Sequence, residues 1–184
     1  GVPALRAQIA EKYEAWYGME VNPDTEVTVT CGVTEAIIST LMGLINPGDK
    51  VIIMEPAHDN YLPGVVFAGG EPVWISLKPP SFDLDEQELR AVFAQNPRAI
   101  LLNTPHNPTG RVFSRQTLEL IARLCNEYDT IAITDEIYEH IMYDGRTHKP
   151  LATLPGMAGR TVTISGLTKT FASTGWRVGW AIAA

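Results

Sequence analysis

The chain has 184 residues, of which 45% are hydrophobic, and a formal net charge of −7. This length and apolar content suffice for one large domain with its own core. The acidic balance argues against a nucleic-acid or membrane-surface partner. With no N-terminal signal and no apolar run near the roughly twenty residues of a membrane span, we expect a cytoplasmic protein.

The chain opens with an amphipathic helix in residues 1–18, with Pro3 in its first turn and Gly18 just past its end. After it, β-rich runs alternate with helical patterns. The predicted strands are 26–32, 50–56, 71–77, 99–105, 130–136, 161–167 and 178–184. The predicted helices between them are 34–45, 58–68, 85–95 and 115–128, with a shorter piece near 137–142.

Several predicted strands are nearly continuous apolar runs, as is typical of strands buried on both faces of a mainly parallel sheet. The alternation predicts an α/β fold, a three-layer αβα sandwich around a mainly parallel seven-stranded sheet. Ligands of such sheets bind at the carboxyl ends of strands. Polar residues follow five of the predicted strands, at 32–34, 55–58, 103–107, 135–138 and 165–169. The sequence therefore predicts a site along this edge.

Common nucleotide and hydrolase motifs are missing from the sequence. It contains no GxxxxGK, no GxGxxG after a strand and no GxSxG, and an SxxK arrangement fails because Gly166 lies three residues before Lys169. Cys31 and Cys125 are far apart and lack metal-ligand spacing, so we expect reduced, buried thiols and no metal site.

Three strand ends carry candidate binding residues, each with a simpler alternative. "CGVTEAI" places Thr34 at a helix start, where it could face a phosphate or merely cap the helix. "NTPHNPTG" holds Asn107 between two prolines, which also suits a rigid turn. "TDEIY" places Asp135 at the end of a buried strand, where a carboxylate needs a cationic or N–H partner. The simpler alternative is that Asp135 caps a following helix.

The stretch "SGLTKTFASTGWRVGW" contains Lys169 and Arg177 and no other charge. Taken alone, it could be a strand–turn–strand with two cations extending to solvent. Together with "HNPTG" and "TDEIY" in this order, it resembles the pyridoxal-phosphate-dependent aminotransferases of fold type I, class I/II. The resemblance covers the whole chain and is nearest to the kynurenine, glutamine and methionine aminotransferases.

The resemblance implies pyridoxal 5′-phosphate as cofactor and transfer of an amino group between an L-amino acid and a 2-oxo acid. It implies a homodimer for the full-length protein. Residues 1–184 then correspond to the cofactor-binding large domain, with the N-terminal segment and the small domain outside it. The small domain would supply the arginine that holds the substrate carboxylate. A lyase on the same fold, or a non-catalytic domain that senses pyridoxal phosphate in a regulator, are the alternatives.

The same resemblance assigns chemical roles to four residues. Lys169 would hold the cofactor as a Schiff base and then move the substrate proton. Asp135 would pair with the pyridine N–H and keep the ring an electron acceptor. Tyr138 and Asn107 would hydrogen-bond the ring oxygen.

The resemblance also assigns the contacts that hold the cofactor. The implied phosphate contacts are Arg177, Ser165, Thr34 and the backbone at Val33. Gly166 stands where many relatives have a phosphate-binding serine, and Ser165 is the candidate to replace it. His58 stands where the family usually stacks an aromatic ring on the pyridine. The other histidines, His106, His140 and His148, are expected in surface or structural positions.

Overall fold

The computed structural model describes all of residues 1–184 and contains one seven-stranded sheet. The strands are β1 (Val27–Thr30), β2 (Lys50–Glu55), β3 (Glu71–Ser76), β4 (Ala99–Asn103), β5 (Ile131–Asp135), β6 (Thr161–Gly166) and β7 (Gly179–Ile182). The helices are α1 (Pro3–Tyr17), α2 (Val33–Leu44), α3 (Tyr61–Phe67), α4 (Glu86–Phe93) and α5 (Arg115–Glu127). All seven predicted strands are confirmed, with ends trimmed by one or more residues.

The strand order is β1-β7-β6-β5-β4-β2-β3, and β7 alone runs antiparallel to both of its neighbours. The carboxyl ends of the other six strands therefore meet at one edge of the sheet. Because β7 is reversed, its amino end lies at this same edge. Arg177, which precedes β7, thus shares the edge with the residues that follow β6.

Helices cover both faces of the sheet. On β2, Ile53 packs in a core cluster with α2 and α3, whereas Ile52 packs in a second cluster with α4 and α5. On β7, Ala181 packs against the first cluster, and Trp180 joins α1 on the opposite face. The predicted three-layer arrangement is therefore confirmed, with α2 and α3 in one outer layer and α1, α4 and α5 in the other.

The ends of the helices follow local sequence signals. Gly18 adopts a left-handed conformation with φ of 65° and terminates α1 as expected. The Asp85 carboxylate accepts a hydrogen bond from the Glu88 N–H at 2.9 Å and caps α4, and the Ser114 hydroxyl caps α5 in the same way.

Two expected helical features differ in the structure. The predicted piece near 137–142 is a turn, because the Asp135 carboxylate accepts the Ile137 N–H at 3.2 Å instead of capping a helix. Thr34 is not an N-cap either, since α2 begins at Val33 and Gly32 occupies the cap position. The simpler interpretation, in which Thr34 and Asp135 serve only as helix caps, is therefore wrong for both residues.

The two cysteines lie in different environments. Burial raises the pKa of the Cys125 thiol to about 12, which keeps it protonated. Cys31 is exposed, so the expectation that both thiols are buried is wrong for this residue. The reason is that β1 ends at Thr30 and Cys31 lies in the bend that follows it.

None of the helices combines the length and the apolar composition that a bilayer span requires.

Candidate active site

A cavity of about 180 Å³ opens at the edge of the sheet where six strands end. Among its lining residues are eight of the nine predicted site residues: Val33, Thr34, His58, Asn107, Asp135, Tyr138, Lys169 and Arg177. These eight residues come from segments that are distant in the sequence. They meet because each segment forms or follows the end of a strand at this edge of the sheet or, for Arg177, precedes a strand that begins there.

Asp135, the last residue of β5, is 5% exposed. Its Oδ2 accepts a hydrogen bond from the Tyr61 hydroxyl at 2.8 Å, and its Oδ1 accepts the Ile137 N–H at 3.2 Å. Burial raises the pKa of this carboxyl, although both hydrogen bonds and the nearby His58 act to lower it. The donors from the chain therefore do not fully offset the cost of burying the charge of Asp135, and a positively charged group in the cavity would stabilise the carboxylate further.

Asn107 is held in place by Asn103, the last residue of β4. The Asn107 N–H donates to the Asn103 Oδ1 at 2.6 Å, and the Asn103 amide donates to the backbone carbonyl of Asp135 at 2.8 Å. The loop thus bonds to β5 as well as to its own strand. His106 in this loop is buried, and burial lowers its pKa to about 4, so its imidazole is neutral and structural.

Lys169 lies in the loop between β6 and β7, and its Nζ is 5.7 Å from the centroid of the Tyr138 ring. The loop is folded back on itself, because the Ser173 hydroxyl donates to the carbonyl of Leu167 at 3.0 Å and the Phe171 N–H donates to the same oxygen at 3.1 Å. The amine is therefore presented at the cavity from a hydrogen-bonded loop.

Arg177 lies against the start of α2. A Cβ added to Gly32 would come within 2.4 Å of the Arg177 Nη2, and the φ of Gly32 is 81°, so this position suits only glycine. Gly32 provides no side-chain cap, which leaves the first N–H groups of α2 free. Arg177 itself is left-handed with φ of 51°. A guanidinium beside an uncapped helix start is suited to bind a phosphate.

Ser165 is the predicted site residue that does not reach the cavity, so the phosphate contact expected of it is wrong. Ile164 faces the α2 layer, so the strand alternation turns Ser165 to the opposite face. There its hydroxyl donates to the Glu139 Oε1 at 2.5 Å. Gly166 could not carry the missing serine, because a Cβ there would lie 2.7 Å from the carbonyl oxygen of Val178.

Several residues at the cavity were given no individual role by the sequence prediction. Asn60, Asn103, Thr168 and Thr174 line it, and Tyr61 contacts Asp135 from behind. Asn103 ends an apolar strand, which is a signal that could have identified it. Tyr61 gave no such signal, because an aromatic residue at the start of an apolar helix is typical of a core position.

The donors and acceptors around the cavity fit pyridoxal phosphate. The amine of Lys169 suits its aldehyde, the Asp135 carboxylate suits a pyridine N–H, and the Arg177 cation beside α2 suits its phosphate. Because Gly32 has no side chain, this cation can lie directly against the start of α2.

The sequence was compared with protein-family models and with known proteins, and both comparisons found aminotransferases. The family model described as aminotransferase class I and II matches residues 1–184, and members of that family use pyridoxal phosphate. Kynurenine–oxoglutarate transaminase 1 of Homo sapiens is 43% identical over 99% of this chain and 46% of its own length.

Two solved structures share the fold. N-succinyldiaminopimelate aminotransferase from Mycobacterium tuberculosis superposes with a TM-score of 0.97 at 43% identity, over 100% of this chain and 48% of that one. Aspartate aminotransferase from Thermus thermophilus with maleate gives 0.93 at 37% identity, over 100% and 47%. The chain thus spans about half the length of the relatives it matches. It belongs to the class I and II aminotransferase family.

Proposed function

We propose that the protein is a pyridoxal-phosphate-dependent aminotransferase that moves an amino group between an L-amino acid and a 2-oxo acid. In this proposal residues 1–184 form its cofactor-binding large domain. The observation that carries the proposal is a single cavity of about 180 Å³ lined by a lysine amine, a buried carboxylate and an arginine beside an uncapped helix start. The names of the relatives support the same chemistry.

The bound cofactor supplies an aldehyde carbon and a ring that accepts electrons from the substrate. Lys169 would hold that carbon through its amine and, once free, would move the substrate proton. Asp135 would hold a proton on the pyridine nitrogen. Tyr138 and Asn107 would hydrogen-bond the ring oxygen, and the loop that carries Asn107 is held by Asn103.

The remaining residues hold the cofactor in place. Three groups at the start of α2 would bind the phosphate: Arg177, the Thr34 hydroxyl and the N–H of Val33. His58 would lie against one face of the cofactor ring. The centroid of its imidazole is 5.5 Å from that of the Tyr61 ring.

The transfer of a labelled amino group tests the proposal directly. The full-length protein is incubated with pyridoxal phosphate, a panel of ¹⁵N-labelled amino acids (kynurenine, glutamine, methionine and aspartate) and an unlabelled 2-oxo acid. We expect mass spectrometry to find the label in the amino acid made from the acceptor. Asp135→Asn should lower this rate by roughly 10²-fold or more, whereas Asp129→Asn, an exposed surface change, should not. Label released only as free ammonia would contradict aminotransfer and indicate a lyase.

We further propose that the full-length protein is a cytoplasmic homodimer with small-molecule partners. Large apolar side chains exposed on this chain support self-association, since Trp176 is 81% exposed and Phe171 is 68% exposed. Light scattering on the full-length protein should give the mass of two chains. The mass of one chain at micromolar concentration would contradict the dimer.

A further inference from the structure

Tyr61 makes a buried contact with Asp135 that the roles assigned above do not use. Tyr61 is the first residue of α3 and is 3% exposed. Its hydroxyl donates to the Asp135 Oδ2 at 2.8 Å, across 74 residues of sequence. The other oxygen of the carboxylate accepts the Ile137 N–H. Each oxygen of Asp135 therefore has one donor from the chain, and the donor to Oδ2 is a side chain from another layer.

The Tyr61 hydroxyl can act only as a donor toward this carboxylate. Burial and the neighbouring charge of Asp135 raise the pKa of Tyr61 well above its usual value, so the phenol keeps its proton. Its ring is fixed by packing in the core cluster that contains Leu41 and Val65. A fixed donor of this kind holds the carboxylate in one orientation and favours its charged form.

We propose that Tyr61 is a positioning residue, whose hydroxyl orients the Asp135 carboxylate and keeps it anionic toward the pyridine nitrogen of the cofactor. This inference rests on the proposed function. In the opposite interpretation Asp135 only satisfies the buried phenol, and removal of the hydroxyl leaves the carboxylate as it was. The two interpretations differ in what they predict for Asp135.

The Asp135 carboxyl has several ionisable neighbours besides Tyr61. They are His58 before α3, Glu136 and Tyr138 after β5, Lys169 after β6 and Arg177 before β7. All of them are unchanged by Tyr61→Phe. A difference between the variant and the parent protein therefore reports the lost hydroxyl.

The test is a pH titration of the Asp135 carboxyl carbon by ¹³C NMR in the cofactor-free chain, with the resonance assigned by its loss in Asp135→Asn. Because a donor to the anion is removed, Tyr61→Phe should raise the titration midpoint by about one to two pH units. The matched control is Tyr13→Phe. Tyr13 is also fully buried, but its hydroxyl accepts from the Trp180 Nε1 at 3.2 Å, away from Asp135. This control should leave the midpoint unchanged.

Titration with pyridoxal phosphate near neutral pH gives a second readout, and Tyr61→Phe should bind it roughly tenfold more weakly. A folded Tyr61→Phe variant with the parental midpoint would overturn the inference, as would an equal shift in Tyr13→Phe. The midpoint decides the role of Tyr61 even if no variant binds pyridoxal phosphate. Failure of the parent protein and all variants to bind pyridoxal phosphate would refute the proposed function instead.

Discussion

At the scale of single residues, the absence of a side chain at Gly32 allows the Arg177 guanidinium to lie beside the start of α2, where the proposed phosphate would bind. Gly32 has φ of 81°, and the Arg177 guanidinium occupies the space that a side chain would need. Gly179 packs equally closely from the other side, since a Cβ there would lie 2.7 Å from the backbone N of Val33. The proposed phosphate site therefore depends on backbone that carries no side chains, as well as on Arg177.

Replacing Gly32 by alanine should damage this site more than it damages the fold. The positive φ costs of order 1–3 kcal/mol of stability in an L residue. Displacement of Arg177 should in addition weaken pyridoxal phosphate binding by roughly tenfold to hundredfold. Fluorescence titration with the cofactor and urea denaturation measure the two effects.

Gly48→Ala is the matched control for this substitution. Gly48 has a similar φ of 86°, but no atom lies within 4 Å of its added Cβ. It should lose stability and keep its affinity for the cofactor. Equal affinity in the two variants would contradict the role of the close contact between Gly32 and Arg177.

At the scale of elements, a buried carboxylate ties α1 to the strands that carry the site. The Glu139 side chain is 1% exposed, and it accepts hydrogen bonds from Lys12 at 2.6 Å and from Tyr17 and Ser165 at 2.5 Å. Burial acts to raise the pKa of Glu139, but these donors outweigh it and the pKa is lowered. Glu139 follows Tyr138, so the turn after β5 is anchored on one face and lines the cavity on the other.

Glu139→Gln should destabilise the chain in a pH-dependent manner. A folded-state pKa below the ordinary 4.5 means that the carboxylate stabilises the fold above that pH and loses this effect as the pH falls. We expect a loss of about 2 kcal/mol near neutral pH, because Lys12 keeps partial access to water. Urea denaturation from about pH 7 down to about pH 3 should show the difference from the parent shrinking below pH 4.5.

Glu119→Gln serves as the control, since Glu119 pairs with Arg115 in an exposed i,i+4 contact. It should cost less than about 0.5 kcal/mol at any pH. A pH-independent difference for Glu139→Gln would show that its charge contributes nothing to stability.

Elements and site residues differed in how far they could be predicted from the sequence. The seven strands were predictable because each is a short run rich in β-branched or apolar residues, but the reversed direction of β7 leaves no trace in such a run. Lys169, Asp135 and Arg177 stood out as charges in apolar or aromatic surroundings. Ser165 was expected to replace the serine missing at Gly166, but strand alternation turns its side chain to the other face of the sheet. Tyr61 could not be found, since its partner lies 74 residues away.

At the scale of the whole molecule, cofactor binding and substrate binding should be separable. Among the residues that line the cavity, Arg177 is the single arginine, and the proposal commits it to the phosphate. A substrate carboxylate would need a second cation, which the family resemblance places in the small domain. In the proposed function, by contrast, residues 1–184 supply most of the cofactor contacts.

We therefore expect the 184-residue chain to bind pyridoxal phosphate weakly and to transaminate negligibly. A steady-state assay with saturating cofactor and several amino donors should give turnover well below about 1 s⁻¹, the low end of ordinary enzymes. The full-length protein in the same assay is the positive control. Ordinary turnover by the short chain would show that it binds the substrate carboxylate with residues of its own.

The most direct test of the central claim is the identity of the lysine that binds the cofactor. The chain contains five lysines, so Lys12, Lys50, Lys78 and Lys149 are internal controls for Lys169. After incubation with pyridoxal phosphate and borohydride reduction, peptide mass spectrometry should find the cofactor label on Lys169. Lys169→Ala should abolish the label and Lys149→Ala should retain it. Label on another lysine, or label that survives in Lys169→Ala, would contradict the account.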